Sequence, residues 1–318
     1  MSNNSADLAK NIKKAAAKLG FAAIGFSAPV PQPLAIQRAT AMVHEQRHGE
    51  MHFLETRMEE RADPSLLLPG LRTIISTAIS YNYPLKRQPG FPKISKYALI
   101  DDYHRVVRSK LEALLAEIEI LVAEPLHARI TVDSSPLLEK NWAEEAGIGK
   151  TGKNTLLKVP SAGTYLFLGE ILLDREIPSS KFTLPNYCGS CGDCLAHCPT
   201  GALMEPGKID ASKCISYLTI ELKREFTEKE GAMIGDWMFG CDLCQEVCPY
   251  NQQTSITASR AFMVRKELVN ISTESVLNIT RSGFRALFYG TPIFRIGLRR
   301  LKRNARAVAK NSAREKNI

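Results

Sequence analysis

Apolar positions recur at helical spacing over residues 5–19, where Leu8, Ile12, Ala15 and Leu19 fall on one side of a lysine-rich stretch, so the chain is expected to begin with an amphipathic helix. The next apolar runs are short and rich in β-branched residues. "FAAIGFS" at 21–27 and "RTIISTAISY" at 72–81 are the lengths of strands. "HRVVRSKLEALLAEIEILVAE" at 104–124 returns to helical spacing with its charges on the outer face. "ARITVDS" at 128–134, followed by Ser135 and Pro136, predicts a strand running into a turn, and "GTYLFLGEILLD" at 163–174 predicts another strand. After Tyr250 the composition shifts to helix formers and bases. The pattern as a whole predicts an α+β fold with a helical C-terminal segment.

A length of 318 residues suits two or three domains, and 44% hydrophobic with 24% charged residues is ordinary for a globular chain. The start of the chain carries Asp7 and several lysines without a leader-like apolar run, and no later stretch approaches eighteen apolar residues. A cytoplasmic protein that makes no membrane contact is therefore expected. The net charge of +9 is unevenly placed: residues 253–318 hold 14 Lys and Arg against 3 Asp and Glu, a local +11, which leaves −2 for residues 1–252. Arg299, Arg300, Lys302, Arg303 and Arg306 crowd together, which suits either a solvated helix face or a phosphate backbone.

Eight cysteines fall within residues 188–248, and in a reducing compartment such a cluster predicts metal ligands over disulfides. Cys188, Cys191, Cys194 and Cys198 before Pro199 read C-x2-C-x2-C-x3-C-P, the bacterial ferredoxin run. In two-cluster ferredoxins the fourth cysteine of each run reaches across to the other cluster, so a partner run is required. "CDLCQEVCP" supplies Cys241, Cys244 and Cys248 before Pro249, with Met238 where the first cysteine would stand. Cys214 completes the count. The expected sets are Cys188, Cys191, Cys194 and Cys248 on one 4Fe-4S cluster, and Cys198, Cys214, Cys241 and Cys244 on the other. Structural zinc is the alternative, but zinc sites do not favour this run. Two adjacent clusters pass single electrons, and something must receive them.

"GEMHFLETRMEERADPSLLLPGLRTII", "SSPLLEKNWAEEAGIGKTGKNTLL" directly after Asp133, and "YLFLGEI", joined to this cysteine module, resemble the epoxyqueuosine reductases over nearly the whole chain. That family is related to the reductive dehalogenases. The resemblance implies a nitroreductase-like cobalamin-binding domain (1–180), a ferredoxin-type domain with two 4Fe-4S clusters (181–252) and a basic, HEAT-like helical segment (253–318). It implies removal of the epoxide oxygen from epoxyqueuosine at the tRNA wobble position, the last step of queuosine formation. The cofactor would rest as cob(II)alamin and act as cob(I)alamin, by nucleophilic attack or an outer-sphere route. The implied partners are tRNAs with a GUN anticodon, those for aspartate, asparagine, histidine and tyrosine, and an external low-potential electron donor. A monomer is expected.

The family's proton donor matches Asp133 of "ITVDS", which is also expected to touch the cofactor; burial beside a corrin would raise its pKa and keep it protonated. The residues alone allow a plain turn-forming Asp before Ser134, Ser135 and Pro136. In "GKTGKNTLLK" the glycines allow close approach, while Lys153, Asn154 and Lys158 offer donors to cobalamin amides or phosphate; the loop lacks the spacing of a nucleotide-binding loop. Arg57 and Tyr97 match positions associated with the corrin site, and Ser216 and Asp242 stand beside cluster cysteines. His104 and Trp142 are expected to be packing residues. No D-x-H-x-x-G supplies a lower cobalt ligand, so a base-off cofactor is expected. Longer relatives continue past "RNARAVA" with further repeats, so a smaller tRNA-binding surface is expected of a chain stopping at Ile318. Two other functions suit parts of the pattern: a corrinoid dehalogenase, which would commonly carry an export signal, and an electron carrier, which would bind no corrinoid.

Overall fold

The computed structural model describes residues 2–179, 184–185, 187–254 and 262–315. Its main sheet has four strands, β1 (Ala23–Ser27), β2 (Thr73–Ser80), β4 (Ala128–Thr131) and β5 (Leu166–Leu173), in the spatial order β1-β2-β5-β4. Every neighbouring pair is antiparallel. A further short strand, β3 (Lys93–Ile94), pairs in parallel with β6 (Trp237–Phe239), which ties the cysteine segment to the first half of the chain. The helices that matter here are α1 (Ser2–Lys18), α2 (Tyr103–Val122), α3 (Glu139–Glu145), α4 (Ile215–Ile220) and α5 (Gly297–Glu315). The helices and strands expected from apolar spacing all form, with ends within a few residues of the expectation.

β2 is buried along its whole length because both faces of the sheet are covered. Ile75 and Ile79 pack with Ile12 of α1 and with Val107, Leu111 and Leu114 of α2. Ile74, one residue out of phase, packs instead with Trp142 of α3 and Leu172. Each such side chain contributes roughly 1.5–3 kcal/mol by leaving water. On β5 the same alternation puts Phe167, Gly169 and Ile171 under α2 and turns Leu168, Glu170 and Leu172 toward α3. Gly169 lets α2 come close: a Cβ there would lie 2.8 Å from a Leu111 methyl. Glu170, fully buried, thus stands on this face between Ser76 and Thr131, its cross-strand neighbours.

The basic C-terminal helix is not simply a solvated face. Arg303, 3% exposed, donates to the carbonyls of Leu218, Leu222 and Arg224 at and beyond the end of α4. Asn304 donates to Thr219 O and Met238 O, and Arg300 to Ile220 O. These are the carbonyls that a helix end leaves without partners, and cations also suit that end of the dipole. The expected phosphate-facing cluster therefore loses Arg303 to the interior, and Arg300 is half committed to α4. Among the described residues no helix is long and apolar enough to cross a membrane.

Candidate active site

Asp102 is the N-cap of α2: its Oδ1 accepts the His104 N–H at 3.1 Å, which is why the helix starts at Tyr103. The same oxygen lies 2.7 Å from His104 Nδ1. The other ring nitrogen, Nε2, lies 3.1 Å from Asp133 Oδ2, and the Tyr103 hydroxyl donates to that oxygen at 2.9 Å. Asp133 sits in the turn after β4 with φ +58°, a conformation Asp tolerates better than most residues. Its backbone N–H donates to Glu139 Oε1 at 2.7 Å.

This geometry adds to two expectations. Asp133 does not have a raised pKa in the chain itself: the His104 ring, against burial and with help from the Tyr103 hydroxyl, holds its carboxyl below the ordinary value. His104 stacks on the Tyr103 ring, as expected of a packing residue, and in addition its hydrogen bonds to Asp102 and Asp133 push its pKa up to about 9. With a carboxylate at each ring nitrogen, both nitrogens must carry hydrogen, so the proton expected on Asp133 rests on His104. Trp142 is 2% exposed and packs under the sheet, as expected. A cleft of about 280 Å³ opens on His104 and Tyr103, with Tyr97 and Arg295 in its walls.

No disulfide joins the eight cysteines, all of which are described. Burial raises the Cys194 thiol, and Cys188, Cys248 and Cys191 are its charged neighbours. Burial likewise raises Cys241, whose cysteine neighbours are Cys214 and Cys244. At Cys198 burial is outweighed by the N–H groups of Leu203, Thr200 and Ala202 and by the Thr200 hydroxyl, and its thiol falls. The first set lines a cavity of about 280 Å³ with Lys153, Lys158 and Tyr250. The second lines another of about 270 Å³, bordered also by Tyr97, Asn154, Thr155 and Ser216. Thiols with N–H donors aimed at sulfur around a cavity are the donor set an iron–sulfur cluster requires.

The remaining expected residues divide. Tyr97 borders both the second cysteine cavity and the His104 cleft, and Ser216 borders the cavity. Asn154 Nδ2 reaches Cys244 O at 3.4 Å. Lys153 Nζ donates to Gly189 O and Cys191 O, and Lys158 Nζ lies 3.3 Å from Cys188 Sγ, so both lysines are committed to the first cysteine set. Asp242 is buried, accepting from Ser95 Oγ at 2.5 Å and Lys96 N at 2.7 Å; it straps the Ser95 segment to the cysteine module. Arg57 pairs with Glu60 at 2.9 Å and borders neither cavity nor cleft.

Sequence reasoning missed Asp102, Tyr103, His104, Glu139, Glu170 and Arg295. Glu170 did carry a signal, since an acid in the middle of the apolar run "LFLGEILL" must find a buried partner.

The fold and the two cysteine sets define an iron–sulfur oxidoreductase, and residues 187–251 match the family described as "4Fe-4S double cluster binding domain". Residues 61–134 match "Epoxyqueuosine reductase QueG, DUF1730". The chain belongs to the epoxyqueuosine reductase family. It is 34% identical over 305 residues to the epoxyqueuosine reductase of Cyclobacterium marinum, covering 95% of this chain and 96% of that one. With the enzyme of Salmonella typhimurium it shares 38% over 316 residues, covering 96% of this chain and 80% of that one. The solved enzyme from Streptococcus thermophilus superposes with a TM-score of 0.87 at 31% identity, over 96% of this chain and 81% of that one. A second solved epoxyqueuosine reductase, with an epoxyqueuosine-modified tRNA-Tyr stem loop, superposes with a TM-score of 0.85 at 28% identity, over 96% and 82%.

Proposed function

We propose that this chain reduces the epoxide of epoxyqueuosine in tRNA to queuosine, with electrons passed through two 4Fe-4S clusters to cobalamin and a proton delivered at Asp133. The observation that carries this reading is the hydrogen-bonded series Asp102, His104, Asp133, whose first two members line a cleft that shares Tyr97 with the second cysteine cavity. Family membership supplies the substrate class, and the relative solved with a modified stem loop supports tRNA as the partner.

The first cluster would be held by Cys188, Cys191, Cys194 and Cys248, and the second by Cys198, Cys214, Cys241 and Cys244. The cavity of the second set is also bordered by the Asn154 amide, the Thr155 and Ser216 hydroxyls and the Tyr97 ring, groups that would meet the edge of a cobalamin held next to that cluster. Cobalamin held there would supply a cobalt centre able to take single electrons and pass them on to the substrate.

Removing the epoxide oxygen as water takes two electrons and two protons. Asp133 Oδ2 delivers one proton to that oxygen, His104 Nε2 reloads Asp133 for delivery of the second, and His104 regains its protons from solvent in the cleft it lines. Asp102 keeps the ring oriented throughout, as the buried Asp of a Ser-His-Asp triad orients its His. A Bacillus subtilis relative, 27% identical with a TM-score of 0.82, is described with its aspartate catalytic loop swung out of the active site, which supports a movable Asp133 turn here.

On the same resemblance, residues 1–180 form a nitroreductase-like cobalamin domain, 181–252 the ferredoxin-type domain and 253–318 a HEAT-like segment whose remaining exposed bases meet tRNA. A cytoplasmic monomer served by an external low-potential donor and acting on GUN-anticodon tRNAs completes the reading. Anaerobically reconstituted enzyme should convert epoxyqueuosine in such tRNA to queuosine, read by nucleoside mass spectrometry. No conversion by chain loaded with both clusters and corrinoid would contradict it.

A further inference from the structure

Between β1 and β2 stand three ligand-type side chains that the reaction above does not use: His48, His52 and Glu55. A single tight turn, His52–Leu54, folds the last two back toward the first. His48 Nε2 lies 2.6 Å and His52 Nδ1 2.8 Å from the same oxygen, Glu55 Oε1. The two rings meet edge to face with centroids 6.2 Å apart, and one ligand atom from each of the three residues lies within 4.8 Å of the others. His48 is 4% exposed, while His52 and Glu55 face solvent. The buried ring makes its polar contact on the side of this cluster alone: Nδ1 finds no protein partner among the described residues, whereas buried polar groups are ordinarily satisfied.

The segment that carries His48 is firmly held. Arg47 Nη1 donates to Ile209 O at 2.9 Å, the Arg47 carbonyl accepts from Ala211 N at 2.7 Å, and Glu50 N donates to the Tyr217 hydroxyl of α4 at 2.8 Å. Gly49 has φ +62°, and a Cβ there would lie 2.6 Å from the Tyr217 ring, so the chain comes closer to α4 than any other residue type would permit. His48 is thereby fixed against the stretch that leads to Cys214. Two imidazoles and one carboxylate are the protein ligands of a known class of zinc site, in which water takes the fourth position. Ligand atoms at 2.0–2.1 Å in a tetrahedral array stand about 3.3 Å apart, so the two short contacts need to open by only about 0.5–0.7 Å to admit the ion. The solvent-facing side of His52 and Glu55 gives the ion its entry and its water.

We propose that His48, His52 and Glu55 form a divalent-cation site of the zinc class, separate from the eight cysteines, in which the ion ties the exposed turn at His52 to the buried His48 and braces the segment that docks on the cysteine module. Imidazole ligands select zinc-like ions over magnesium and calcium, which prefer oxygen alone.

The test uses the cluster-loaded chain, whose cysteines are occupied by iron, with zinc chloride as the probe. After equilibration with zinc and removal of the unbound ion, metal analysis should find about one zinc per chain beside an unchanged iron content, and magnesium in its place should not be retained. His52→Ala, a change at an exposed side chain, and Glu55→Gln should each keep the iron and weaken zinc binding by about 10²-fold or more, because a lost ligand costs at least as much as a lost outer-shell partner. Zinc should also raise the unfolding temperature of wild type and leave that of His52→Ala where it was. Zinc retention by wild type no greater than by His52→Ala, or no zinc retained by wild type at all, would overturn the site and leave the three side chains a hydrogen-bonded cluster alone.

Discussion

The electron side and the proton side of this molecule are built in opposite ways. The electron side draws on a single residue type at fixed spacing within residues 188–248, and its geometry follows from short turns around sulfur. The proposed proton side draws on three residues from two places: Asp102 and His104 at the start of α2, and Asp133 after β4. The packing of α2 against β4 and β5 brings these together. A cofactor site can be encoded locally because the cofactor supplies the reactive centre, whereas a proton path has to be assembled from the tertiary fold. The C-terminal helix belongs to the electron side despite its charge, since Arg303, Asn304 and Arg300 finish the helix that follows Cys214.

Breaking the electron side should give the largest effect. Reconstituted wild type should hold about eight irons and eight sulfides per chain, and Cys214→Ala should lose about half of each together with all turnover. Zinc without acid-labile sulfide, or an unchanged iron content in the variant, would contradict the cysteine sets. On the proton side, His104→Gln should keep clusters and corrinoid but slow single turnover by about 10²-fold, because Asp133 is no longer loaded. In wild type the rate should fall as pH rises past about 9, where the proton leaves His104, and that limb should be missing from His104→Gln. The ring's pKa is raised in the folded chain, so the hold it gives the Asp133 turn is complete below about pH 6.5 and is lost as pH rises through about 9. Asp133, lowered by the same partner, gives its share above its unfolded value and loses it as pH falls through the folded one. The smallest effect on chemistry belongs to Arg303→Ala. Three carbonyls lose their donor, so denaturant unfolding should show a loss of about 3 kcal/mol, while turnover per folded enzyme stays near wild type.

What was legible in the sequence follows the same division. Apolar periodicity located β1, β2, β5, α1 and α2 because each buries a regular face. The cysteine sets were legible because the cysteine spacing is itself the chemical signal. Asp133 was visible through family resemblance, but its protein partner was not: burial alone raises a carboxyl, and the ring that lowers this one lies 29 positions away, as His104. The lysines of "GKTGKNTLLK" were visible as donors, whereas their protein partners were not. A flexible side chain reports that a donor is present and not which way it turns, and both lysines turn to the first cysteine set.

The central claim is that Asp133 hands a proton to the epoxide oxygen. Asp133→Asn keeps the size and the turn-forming capacity of the side chain but removes the transferable proton. Single turnover on epoxyqueuosine-containing tRNA, with cobalamin reduced beforehand so that electron delivery does not enter, should slow by roughly 10²- to 10⁴-fold with folding, clusters and corrinoid intact. A loss below about threefold, far under the range of general acid catalysis, would contradict the claim and leave Asp133 a residue of the turn alone.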